Sequence, residues 1–165
     1  VRRQSGVTLV ELIITIVVLG VAIAGVVGAF AVITGRSADP LNQTRAVALS
    51  QLYMDEILSR HYDEATPVGG GKVAAAEVDC ITAGPDGEAR PFFDDADDYT
   101  GLTDNPPKDS EDSALPGYGG FSVAVMVTCA GSEVGVAEED AKRVDITITD
   151  PSGQHWRFTA YRANF

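Results

Sequence analysis

Residues 6–20 read GVTLVELIITIVVLG. One ionisable side chain, Glu11, stands at the margin of a stretch otherwise free of charge, and from residue 12 to residue 35 no charged residue occurs. As a helix this run is about 36 Å long at 1.5 Å per residue, enough to cross a hydrocarbon core of about 30 Å. It is rich in β-branched residues (Ile13, Ile14, Ile16, Val17, Val18, Val21, Val26, Val27 and Val32). Such residues weaken a helix slightly in water. In lipid the backbone must bond to itself, so a helix is nearly forced. Arg2 and Arg3 precede the run, which the positive-inside rule reads as a cytoplasmic N-terminus and a translocated C-terminal part. A secretory signal peptide fits the basic start but not the length of the apolar run. Gly20, Gly25 and Gly28 are either packing notches between helices or ordinary membrane-helix glycines.

The 165 residues carry a formal net charge of −12. That argues against binding to nucleic acid or to anionic lipid through a basic patch, since both need clustered Lys and Arg. Two cysteines, Cys80 and Cys129, belong to no CxxC or Cys/His cluster, so zinc is not expected. In an exported domain they read as one disulfide, in a cytosolic one as buried thiols.

Further along, "SADP" at residues 37–40 is a helix-start signal, with Asp39 as N-cap and Pro40 in the first turn. Val47, Leu49, Leu52, Tyr53 and Ile57 then recur at helical spacing, up to about Tyr62. Regular patterning is scarce from 63 to 119. "TPVGGGKV" is no phosphate loop, because Thr66 replaces the first glycine and Val73 the Ser/Thr. After Gly119 the period becomes two: Phe121, Val123, Val125, Val127 and Cys129, then Val144, Ile146 and Ile148, then, past the turn "DPSG", Trp156, Phe158 and Ala160. These patterns predict an α+β fold, a long N-terminal helix packed on a C-terminal antiparallel meander.

Gly6-Val7-Thr8-Leu9-Val10-Glu11, behind two arginines, resembles the processing site of type IV pilins and type II secretion pseudopilins. The resemblance implies cleavage by prepilin peptidase between Gly6 and Val7 and N-methylation of Val7, where the family usually has phenylalanine. It implies that Glu11 sets axial register by pairing with the amino terminus of a neighbouring subunit. A carboxylate at the centre of a membrane helix costs about 3 kcal/mol on insertion scales, which a positive partner offsets. The plain alternative is an anchor with Glu11 at headgroup level. The pilin layout divides the chain into a leader at 1–6, a membrane and filament-core helix at 7–35, an amphipathic helix at 36–62 and a globular domain at 63–165. "FFDDADDYTGL" and "AKRVDITITDPSG" with the final "AYRANF" resemble minor pilins of the mannose-sensitive haemagglutinin (MSHA) pilus type.

This resemblance implies an inner-membrane precursor with a periplasmic domain. Its partners would be prepilin peptidase, other pilins or pseudopilins and the inner-membrane assembly platform. An exported domain makes Cys80–Cys129 a disulfide. Asp94, Asp95, Asp97 and Asp98 offer oxygen ligands of the kind calcium takes, and some pseudopilins bind calcium in this part of the fold. Asp95, Asp97 and Asp98 are the expected ligands. The alternatives are a solvated acidic loop or a surface that meets a neighbour's basic residues. No hydrolase or zinc-protease motif occurs, and His61 and His155 read as structural, so no enzymatic activity is expected.

Overall fold

The computed structural model describes residues 6, 8–36, 39–80 and 84–165, and of residues 32–36 and 39 the backbone alone. The chain divides into two compact units, Val1–Asn42 and Gln43–Phe165.

The first unit is dominated by α1, Leu9–Arg36, 28 residues long. Its segment Leu9–Ala31 is long and apolar enough to cross a membrane, and no side chain in it is buried. A helix that is apolar on every side has no solvated face, so lipid or other helices must cover it. A Cβ added at Gly20, Gly25 or Gly28 would meet nothing within 4 Å, so no packing within the described chain requires these glycines.

Helix α2, Asp39–Ser59, follows, and its residues from Gln43 onward belong to the second unit. It starts at the SADP signal and stops three residues short of the expected Tyr62. Ala46, Leu49, Tyr53 and Ile57 form its buried stripe, at spacings of three and four. Val47 and Leu52, which the sequence pattern assigned to that stripe, are instead largely exposed. No basic residue stands in the last turn of α2, and Arg162 from the C-terminal strand donates to the Leu58 carbonyl there. A cation at a helix C-terminus satisfies an orphan carbonyl and complements the dipole.

The sheet is a four-stranded antiparallel meander: β1 Thr103–Asp104, β2 Ser122–Cys129, β3 Ala141–Thr149 and β4 His155–Ala163. Its register places Val123 opposite Ile148, Val125 opposite Ile146 and Val127 opposite Val144. Trp156, Phe158 and Ala160 then pair with Ile148, Ile146 and Val144. This row of alternate residues joins the buried face of α2 in one hydrophobic core. Burying each such aliphatic side chain contributes about 1.5–3 kcal/mol. The opposite sheet face is polar: Asp145 accepts from Thr159 at 2.6 Å and Arg143 at 3.0 Å, and Tyr161 donates to Glu133 at 2.6 Å. Strand β1 has no period-two signal. It forms because Asp104 is held from the helix side.

That hold is a buried ion cluster. Arg90, in the short turn Arg90–Phe92, donates to Asp104 Oδ2 at 2.6 Å and to Glu56 of α2 at 3.2 Å. Tyr53 donates to the same Asp104 oxygen at 2.6 Å, and Tyr99 to Glu56 at 2.8 Å. The guanidinium carbon lies 4.9 Å from the Tyr53 ring centroid. Aromatic faces and two carboxylates thus replace the water that Arg90 has lost. Elsewhere Cys80 and Cys129 are joined by a disulfide that ties the irregular region to β2 across a separation of 49 residues. A closure of that length stabilises by about 4 kcal/mol on the chain-entropy model.

Removing a single partner from a buried pair strands the other charge. Arg90→Ala is expected to lower the stability of the detergent-purified full chain by about 3–5 kcal/mol, read as a fall in the urea midpoint. A loss below 1 kcal/mol would show that solvent reaches Glu56 and Asp104.

Candidate functional site

The N-terminal residues of the processing motif sit at the start of α1. Thr8 is the N-cap: its Oγ1 accepts from the Glu11 N–H at 3.3 Å, and its carbonyl accepts from Leu12 N–H at 3.2 Å. Thr8-Leu9-Val10-Glu11 therefore has the spacing of a capping box, with Glu11 at the third helical position. The cap stabilises the helix start by about 0.5–2 kcal/mol, and an acid in the first turn suits the helix dipole. The role of Thr8 is legible as a T-x-x-E spacing before an apolar run. Among the described residues, none pairs with the Glu11 carboxylate, which is exposed. Gly6 is exposed too, and a Cβ there would meet nothing within 4 Å. Val7, the expected methylation site, lies outside the described residues.

The acidic segment differs from a solvated loop. Asp95, Asp97 and Asp98 are only 4–6% exposed. Two of them fold the segment on itself. Asp95 Oδ1 accepts from the N–H groups of Asp97 and Asp98 at 2.7 and 3.1 Å. Asp98 Oδ2 accepts from those of Asp94 and Asp95 at 2.9 and 3.2 Å. Short side-chain acceptors that bond nearby backbone in this way stabilise turns. The turn is moored to the chain just past α2, where His61 N–H donates to the Asp94 carbonyl at 2.9 Å and Ala96 N–H to the His61 carbonyl at 3.1 Å.

The third aspartate meets a buried cation. Lys142 continues the core face of β3 one step beyond Val144, opposite Cys129 and Arg162, and is fully buried. Its Nζ donates to the Asp97 carboxylate, to Asp63 Oδ2 at 2.9 Å and to the Tyr62 carbonyl at 2.9 Å. It also lies 4.6 Å from the Tyr62 ring centroid. Asp63 further accepts from Ala65 N–H at 3.1 Å and Asp79 N–H at 3.0 Å. Burial alone would raise the Asp63 carboxyl, but Lys142 and these N–H groups outweigh it and hold the group below the usual carboxylate range. Asp97 is pushed up to about 7: burial dominates, and Asp95 and Asp63 add to it against the pull of Lys142.

These contacts correct the expected ligand set. Asp95, Asp97 and Asp98 do not converge, because Asp97 turns to Lys142 while Asp95 and Asp98 serve backbone N–H groups. Among the described residues, the acids that converge in threes, with oxygens within 4.8 Å of one another, are Glu64, Asp94 and Asp95, and Glu88, Asp94 and Asp98. The nearby Asp94 charge is the main reason that the Glu64 carboxyl is raised. The histidines make structural contacts: His61 bridges to the Asp95 segment, and the His155 ring lies 2.8 Å from the Thr149 hydroxyl.

With Lys142 replaced by Met, Asp63 and Asp97 stay buried without a cation. The variant is expected to lose about 3–5 kcal/mol at pH 8. Asp97, raised even beside the lysine, then rises further. A raised folded-state carboxyl stabilises below its unfolded pKa and loses that contribution as pH climbs through the folded value. Stability should therefore recover on acidification from pH 8 to 5, by up to about 1.4 kcal/mol per pH unit for each proton taken up. Urea midpoints across that window check it, and a flat profile would refute it.

Residues 1–27 match the family model described as the prokaryotic N-terminal methylation motif. No curated protein and no solved structure matches the chain. The matched residues span the expected cleavage position, the Thr8 cap, Glu11 and most of the membrane-length segment. The chain therefore carries a prepilin-type N-terminus, of the general kind found in type IV pilins and pseudopilins and processed by a prepilin peptidase, on one helix long enough to anchor it in a membrane.

Proposed function

We propose that this chain is a minor pilin, incorporated into a type IV pilus of MSHA type or priming its assembly. Prepilin peptidase removes residues 1–6 on the cytoplasmic side, and Val7 becomes the methylated N-terminus. Residues 7–35 first anchor the precursor in the inner membrane and then join the filament core. Residues 36–62 link this rod to the globular part, residues 63–165, which lies in the periplasm and later on the filament. The partners are the peptidase, the other pilins and the inner-membrane assembly platform. The narrower assignment to an MSHA-type system, closest to its minor pilin D, is supported by the 92–102 and 141–165 stretches. A type II secretion pseudopilus would use the same physics in a different machine.

One observation carries the reading. Inside a methylation motif, on a helix bare along its whole membrane-length segment, an exposed carboxylate has no partner among the described residues. A neighbouring subunit can supply both what covers the helix and what neutralises the acid. Because only one axial stagger brings an amino terminus to Glu11, the pair would fix register.

The Thr8 cap supports a second reading, in which Glu11 merely completes a helix start on a membrane anchor that never polymerises. Glu11→Gln separates the two, because glutamine also satisfies a capping box but carries no charge. Membrane insertion and cleavage should persist, while the amount recovered in sheared filaments falls roughly tenfold or more, the factor that corresponds to about 1.4 kcal/mol. Undiminished recovery of Glu11→Gln in filaments would defeat the register role. Absence of the unsubstituted chain from filaments would favour the anchor.

A further inference from the structure

Lys142, Asp63 and Asp97 hold an arrangement that a structural ion pair does not need. The amine is fully buried, and the two carboxyls are 2% and 6% exposed. Nζ touches both, with the Tyr62 ring on another side. The carboxyls differ in kind. Asp63 receives two backbone N–H groups as well as the lysine, which hold it below the usual carboxylate range and keep it ionised. Asp97 is pushed up to about 7, chiefly by burial, so it takes a proton more readily than Asp63, and the neutral carboxyl that results is the electrophilic form. A nitrogen that hydrogen-bonds a carboxyl oxygen lies near the carboxyl plane, about 3.5–4 Å from the carboxyl carbon, so a turn of the Asp97 carboxyl face toward Nζ completes the near-attack approach.

We propose that Lys142 and Asp97 condense to an intramolecular isopeptide bond, with Asp63 carrying the proton. The Lys142 ammonium first passes a proton to the Asp97 carboxylate, giving an amine beside a neutral acid. The free amine attacks Cγ of Asp97, forming the C–N bond and a tetrahedral intermediate. Asp63 takes the second proton from nitrogen and delivers it to the departing hydroxyl, which leaves as water, so Asp63 ends as the carboxylate it began as. One amide and one water result, with no oxidant or co-reactant. An adjacent base is a usual means of activating a nucleophile, and Asp63 Oδ2 lies 2.9 Å from Nζ. Burial also keeps water from reversing the step.

The bond would join the Asp97–Tyr99 turn to β3 across 45 residues of chain. With the disulfide, it would give the irregular region two covalent ties to the sheet. This inference does not depend on the reading of the N-terminus.

The full chain, purified from membranes in detergent, tests it by intact mass and by peptide mapping. The expected mass lies one water below that of the processed, disulfide-bonded chain, and a branched peptide joins the segments containing Asp97 and Lys142. Lys142→Arg should restore the missing water. Asp97→Asn should lose ammonia instead, because an amide side chain offers that leaving group. Asp63→Asn should leave both residues unlinked. Recovery of linear peptides containing Asp97 and Lys142 from wild-type chain with its disulfide intact would overturn the proposal. A deficit that survives Lys142→Arg would do the same, since a succinimide at Asp86-Gly87 also releases water. Should Lys142→Arg fail to accumulate, the wild-type peptide map decides alone. A linked Asp63→Asn chain would remove Asp63 from the chemistry.

Discussion

Two buried cations hold the globular unit together. Its irregular region lacks apolar periodicity, so hydrophobic burial alone cannot specify where most of it lies. Lys142 reaches out of the sheet and draws in Asp63 and Asp97, the two ends of the stretch that follows α2. Arg90 comes from that stretch and inserts between α2 and β1, meeting Glu56 and Asp104. One cluster pulls the loop to the sheet and the other pulls it to the helix. Buried charges of this kind add little net stability compared with an apolar replacement, but a mispaired arrangement strands a charge and is strongly disfavoured. Their effect is therefore selective. Among the many ways to drape an acidic chain over a small sheet, only those that satisfy both cations survive.

The same electrostatic logic operates differently at the other end of the chain. The globular unit gives its buried carboxylates Asp63, Asp95, Asp97 and Asp98 partners of its own, cations or backbone N–H groups. The membrane-length helix carries a single acid whose carboxylate has no partner among the described residues, and whose backbone N–H is already satisfied by Thr8. Thr8 thus meets the local needs of the helix start and leaves the Glu11 charge to external chemistry. The two units follow opposite rules. One closes on itself, while the other exposes an apolar surface and a carboxylate that has no partner among the described residues. A rod that is apolar on every side is stable only in lipid or among other apolar helices.

Much of this was legible from residue order. The uncharged run from 12 to 35 leaves little but a helix in lipid, because no other structure satisfies its backbone there. The alternation from Phe121 to Ala160 specifies strands, their facing and a meander, because a side-chain period of two admits one inward set. The T-x-x-E spacing was equally available. The aspartates were not legible in the same way. In sequence, Asp94 to Asp98 read as an exposed acidic loop or a calcium site, since nothing local distinguishes a solvated carboxylate from one awaiting a lysine 45 residues later. Strand β1 was invisible for a similar reason: two residues carry no period, and Asp104 earns its place only through Tyr53 and Arg90.

The sequence by itself thus determined the elements governed by short-range periodicity and solvation: the apolar helix, the buried stripe of α2 in outline and the three long strands. It also determined the processing motif, whose chemistry is contiguous along the chain. Tertiary structure alone decided which acids are buried, that Lys142 sits at a core position and meets Asp63 and Asp97, and that Arg90 joins α2 to β1. The physical reason is range. Backbone hydrogen bonding and alternation act between near neighbours, whereas a buried charge is specified by partners that only the completed fold brings within 3 Å or so of it.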